Sequence, residues 1–193
     1  MKTRVSALML GCLLAGAAFP ALAADTYKID PAHVSVVFKI NHLGYSNLWG
    51  RFNAVSGSFV LDNDTPANAK VEVVIKTDSV DTNHAKRDDH LRSPDYLNAV
   101  EFPEMKFVST KVEKTGDKTG KVHGNLTMLG VTKPVVLDAV LNGAGQHPFR
   151  KEVAMAGLSA TTKIKRSDFG LTYSVPAIGD DLELFLEIEG IKQ

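Results

Sequence analysis

From Tyr27 onward, apolar and polar residues alternate with a period of two, the signature of strands with one face turned inward. Val34, Val36, Phe38, Ile40 and His42 share one face; Ser35, Val37, Lys39 and Asn41 share the other. Leu48 to Leu61 predicts a second long strand, with Gly50 and Gly57 as bulge or bend positions. Val71, Val73 and Ile75 alternate in a third, after the turn composition of residues 62–67. Met105 to Glu113, Lys121 to Leu129, Val135 to Leu141 and Glu152 to Lys165 predict strands four to seven. A turn is expected over Gly130 to Pro134, and Asn142-Gly143 is expected to end strand six. In strand eight Leu182, Leu184, Leu186 and Ile188 alternate with Glu183, Glu187 and Glu189.

The alternation breaks once, between Ser79 and Phe107. His84 to Arg92 reads as a short helix ended by Ser93-Pro94, because a residue before proline is pushed out of the helical region. The stretch is dense in charge but carries Leu91, Tyr96, Leu97 and Phe102 at intervals. That mixture suits a lid with one face on an apolar rim.

Eight mostly antiparallel strands with one helical insert between strands three and four predict an all-β fold. A closed barrel is favoured over a parallel sheet, with a two-sheet sandwich as the alternative. The inward positions Val36, Phe38, Ile40, Phe59, Val73, Ile75, Phe107, Leu126, Leu137, Leu184 and Leu186 form either a solid core or the lining of a ligand site, since eight strands sit near that boundary.

The first 23 residues read as a secretory signal peptide. Lys2 and Arg4 precede an apolar run from Val5 to Phe19, and Ala21-Leu22-Ala23 gives the small-x-small cleavage pattern. Cys12 lies inside that run, behind a poor lipobox. Cleavage leaves residues 24–193 as one domain without cysteine, stabilised by burial alone. It removes two of 22 basic residues and no acidic one, so the mature net charge is −2. No basic patch stands out, which argues against nucleic-acid binding. No other apolar run is long enough for stable membrane insertion. A homodimer stays open.

Several motifs recur in order: HVSVVFKINHLG from His33, Gly50-Arg51-Phe52, Asp81-Thr82, RDDHLRS from Arg87, Phe102-Pro103 with Phe107, Gly124 to Thr127, Gly130 to Pro134, and Arg166-Ser167-Asp168-Phe169-Gly170. Together they make the chain resemble the YceI-like family over most of its mature length. The resemblance implies a lipocalin-like barrel in the periplasm. It also implies an apolar tunnel holding a long-chain isoprenoid or other fatty lipid as ligand, for carriage or storage. The expected ligand-binding residues are therefore the inward set above together with His42 and Leu91, with no catalytic residue, metal or cofactor.

Enzyme chemistry is the competing class: a hydrolase or metal-dependent enzyme acting on an apolar substrate through the lid histidines His84 and His90. Neither H-E-x-x-H nor G-x-S-x-G is present, and no phosphate loop or dinucleotide fingerprint accompanies the six histidines. Arg87, Asp88, His90 and Arg92 are expected to fix the lid helix; the rival role is gripping a polar head group at the tunnel mouth.

Overall fold

A computed structural model describes residues 24–62 and 65–193. The expected signal peptide and Cys12 lie outside the described residues. The strands are β1 (Asp25–His42), β2 (Ser46–Phe52), β3 (Val55–Leu61), β4 (Lys70–Lys76), β5 (Val80–Asp81), β6 (Glu104–Lys114), β7 (Thr119–Met128), β8 (Val131–Gln146), β9 (Ala154–Lys165) and β10 (Ile178–Lys192). One α-helix, α1 (Ala85–Arg92), lies between β5 and β6.

All pairings are antiparallel, and β10 returns to pair with β1, closing a barrel. β2 and β3 act as one bent strand. The 18-residue β1 pairs its first part with β3, through Tyr27↔Phe59, and its last part with β2, through Phe38↔Gly50. The barrel thus has eight staves, with β5 added beside β2.

The expected second strand from Leu48 to Leu61 therefore breaks at Asn53-Ala54. Asn142-Gly143 does not end a strand. β8 runs on to Gln146 with a register shift between Leu141 and Gly143, and the Asn142 amide donates to Ser159 Oγ at 2.8 Å. The pair forms a bulge, because a long stave needs local extra twist to wrap the barrel. The turn expected over Gly130 to Pro134 shrinks to Leu129-Gly130, both at positive φ, and Pro134 lies within β8. β8 meets β9 only from Asp138 onward, so the proline occupies a stretch with a free edge.

The two ends of the barrel differ. At the end holding the start of β1, Tyr27 and Phe59 stack with centroids 5.2 Å apart, and Ile29, Val73 and Ala156 are buried around them. The Phe59 ring lies over Gly190, where a Cβ would come within 2.6 Å of it. In the barrel wall Phe107 covers Gly124 in the same way, at 2.3 Å. A large ring over a bare backbone fills the interior densely.

Candidate functional site

At the other end the interior is hollow. A cavity of about 310 Å³ lies among the last part of β1, β2 and the first part of β10. Val36, Phe38, Ile40 and His42 line it from β1, Leu48 and Phe52 from β2, and Ile178, Leu182 and Leu184 from β10. Ile75, Met105, Leu126, Met128 and Ile164 complete the wall. Ile40, Leu48, Ile75, Leu182 and Leu184 point inward yet remain only partly buried, because they face the cavity.

Val80, Arg87, His90, Leu91, Tyr96 and Leu97 close one side. α1 is almost wholly polar, with Leu91 as its one large apolar residue, so burial alone does not hold it. Polar bonds do. The buried Asp88 accepts from the Thr82 backbone N–H at 2.9 Å and the Thr82 hydroxyl at 2.5 Å. The Thr82 hydroxyl in turn accepts from Arg87 Nε at 2.6 Å, and Arg87 Nη2 donates to Thr82 O at 2.6 Å. Arg92 donates to Asp78 O at 2.7 Å and Val80 O at 2.9 Å, and meets Asp89 at 3.1 Å. Both guanidinium groups thus grip main-chain carbonyls of the preceding strand and turn. The apolar seal comes from the segment after α1, where Leu97 and Ala99 are buried.

A second clamp closes the cavity beside the lid. Arg166 is 2% exposed and makes five hydrogen bonds to main-chain carbonyls: Gly179 O at 2.8 Å, and Leu171 O, Ile178 O and Tyr173 O (twice) at 3.0 Å. Every donor of its fork is used. Burial away from water pushes its pKa down. Asp180 fixes the same turn, accepting from Ser167 N–H at 2.9 Å and Ser167 Oγ at 2.8 Å. Those bonds, the main-chain one above all, hold its carboxyl below the usual range. Arg166 stood within a motif in the sequence, but nothing local to it signals burial, since its acceptors lie 5 to 13 residues away.

His90, Tyr96 and Tyr173 meet edge to face, with centroids 5.0 to 5.5 Å apart, joining the lid to the loop that Arg166 holds. His90 is exposed and also lines the cavity, while His42 and Ile178 are half-buried, so the cavity reaches the surface here.

Of the residues expected to bind ligand, Val36, Phe38, Ile40, His42, Ile75, Leu91, Leu126 and Leu184 come together around the cavity. Phe59, Val73, Phe107, Leu137 and Leu186 do not line it and are buried in packed parts of the core. The alternation that places a residue inward carries no information on whether the space opposite is filled. Leu48 and Leu182 continue the same alternation and were within reach of sequence reasoning. Phe52, Met105, Ile164 and Arg166 were not, because the lid and loop that make them part of one site are distant in the chain.

The histidines do not converge. His84 caps α1, its Nδ1 accepting from Arg87 N–H at 3.2 Å, and does not line the cavity. His90 contacts Asp95 at 2.9 Å, and His33 contacts Asp30 at 2.8 Å near the opposite end. Among the described residues no group of three or more His, Cys, Asp or Glu side chains is placed to share a metal ion.

Residues 27–190 match the model of the YceI-like domain. The chain belongs to the YceI-like family. It is 45% identical to a UPF0312 protein of Enterobacter sp. (strain 638), over all of this chain and 99% of that one. It is 48% identical to a UPF0312 protein of Yersinia pestis, over 96% and 95% of the two chains. Among solved structures, the Campylobacter jejuni YCEI protein superposes with a TM-score of 0.71 at 31% identity, over 96% of this chain and 99% of that one. A polyisoprenoid binding domain from Saccharophagus degradans has a TM-score of 0.65 at 15% identity, over 86% and 98%, and so shares the fold.

Proposed function

We propose that this YceI-like protein is exported to the periplasm and there encloses one long apolar chain, an isoprenoid or similar lipid, for carriage or storage. The cavity is the observation that carries the reading: about 310 Å³ walled by aliphatic, aromatic and methionine side chains. Its size falls at the lower end of small-ligand sites, roughly 300–1,000 Å³. Each methylene moved from water into it contributes about 0.8 kcal/mol, so shape and dryness suffice for binding. The role we infer is binding rather than catalysis: of the polar side chains that line the cavity, Arg87 and Arg166 hold the lid and the loop, and among the described residues neither His42 nor His90 belongs to a group of three or more His, Cys, Asp or Glu side chains placed to share a metal ion.

Organic extraction of the purified mature protein followed by mass spectrometry tests this. An apolar chain at near-stoichiometric level is expected, and it should be lost from Phe38→Asp and Leu184→Asp variants that keep their β-sheet circular dichroism. A folded parent protein that yields no lipid and binds no added polyprenol would refute the reading.

A further inference from the structure

Two stretches at the open end carry no Asp, Glu, Lys or Arg: residues 40–50 and residues 169–179, eleven each, in a chain that is 23% charged. They are far apart in sequence but adjacent in the fold. His42 pairs with Ile178, and the Leu43 N–H donates to Ala177 O at 2.9 Å. The edge of the cavity mouth that these two stretches form therefore carries no Asp, Glu, Lys or Arg, while α1, which meets it where His90 touches Tyr173, is densely charged.

Apolar side chains project from this uncharged edge. Leu43 is 50% exposed and Tyr45 91% exposed in the turn between β1 and β2, and Trp49 stands half exposed on the outer wall just beyond it, against Phe185 with ring centroids 5.4 Å apart and beneath Lys39, which is paired with Glu183 at 2.8 Å. Leu43 also sits at φ +57°, a conformation unfavourable for a branched aliphatic residue and easy for asparagine or glycine. The turn thus keeps an exposed leucine where its backbone would prefer a polar residue, and folding does not require that choice.

We propose that this edge docks the barrel onto a neutral lipid surface so that an apolar chain passes between bilayer and cavity without crossing water. The inference rests on the lipid-binding reading above. The edge is continuous with the mouth of the cavity, and the turn at its tip, without Asp, Glu, Lys or Arg, can enter a bilayer surface while the Lys39–Glu183 pair and α1 stay in water. Tyrosine, tryptophan and leucine are the side chains that settle at the boundary between water and hydrocarbon. A stable protein partner or second copy would need an interface of roughly 1,200 Å² or more, whereas a two-strand turn offers a few protruding side chains suited to entering a soft surface.

Trp49 is the one tryptophan in the chain and reports on this edge directly. Adding phosphatidylcholine vesicles to the mature protein should shift its emission to the blue, with little dependence on salt. The double variant Leu43→Asn with Tyr45→Ser keeps the turn geometry and should weaken vesicle partition about tenfold, and slow polyprenol transfer between vesicles. Phe149→Ser removes an exposed ring at the opposite end and should change neither. Absence of a shift in the parent overturns the proposal, as does an equal shift in the double variant, a shift that needs anionic lipid and vanishes with salt, or one that follows protein concentration without vesicles. Extraction from the same samples separates the two ideas. Parent-level lipid with unaltered transfer in the double variant sinks docking alone, whereas an empty parent protein that still docks sinks the carrier reading alone.

Discussion

The two ends of the β1–β10 ladder are made from the same strands with the same alternation, yet one is solid and the other hollow. Around Tyr27 and Phe59 the inward side chains pack closely, and Phe59 is 1% exposed. Around Ile40, Leu182 and Leu184 the inward positions face a cavity and stay half-buried. Rings laid over bare backbone fill the first end. At the second, aliphatic side chains stop short of one another, and a polar-anchored lid and an arginine-clamped loop cover the gap. Hydrophobic patterning specifies which way a side chain points; filling depends on what stands across the barrel.

The largest effect expected from this contrast lies in truncating each end. Phe59→Ala should cost about 3–5 kcal/mol, since it opens a void in packed surroundings. Leu184→Ala should cost under about 2 kcal/mol, because it enlarges a space that already exists and loses mainly transfer free energy. Urea unfolding of both variants measures this, and equal losses would mean that the two ends are equally packed.

Overfilling gives a smaller, sharper test. A Cβ at Gly190 would meet the Phe59 ring at 2.6 Å and Tyr27 Cβ at 2.9 Å, and neither has anywhere to go. Gly190→Ala should therefore lose about 1–3 kcal/mol. A Cβ at Gly50 would meet the Phe38 ring at 2.2 Å, which borders the cavity and can swing into it, and the fixed Thr82 methyl at 2.8 Å, so one of its two neighbours can give way. Gly50→Ala should lose less stability and capture less polyprenol. The reverse order of stabilities in thermal melts would contradict the placement of the empty space.

The smallest effect concerns the clamp beside the cavity. Asp180 titrates below its ordinary value because Ser167 donates to the carboxylate. Its contribution is therefore present above the unfolded-state pKa, near 3.9, and is lost as pH falls through the lowered folded value. Asp180→Asn should be less stable at neutral pH and lose less on acidification from about pH 5 to pH 2. Melting curves across that range read the difference; parallel acid profiles for parent and variant would show that the carboxylate does not support the loop.

The eight staves, their antiparallel order and the helical break were legible in the chain, because period-two alternation and proline act locally. So was the membership of seven cavity residues, through their inward phase, while Leu91 belonged to the lid stretch. The division of Leu48 to Leu61 into two strands was not legible: it follows from β1 being long enough to pair with both pieces. Nor was the continuation of β8 through Asn142, which depends on a hydrogen bond to Ser159 in the next strand.

By itself the sequence determined the alternating strands, the inward set of side chains and the charged break that becomes the lid, since each rests on interactions between near neighbours. Tertiary structure alone decided where the cavity lies, which five inward residues stand away from it, and that Arg166 spends its charge on four main-chain carbonyls. Those outcomes depend on which side chains and backbone groups face each other across the closed barrel, and a linear pattern holds no record of the distance between them.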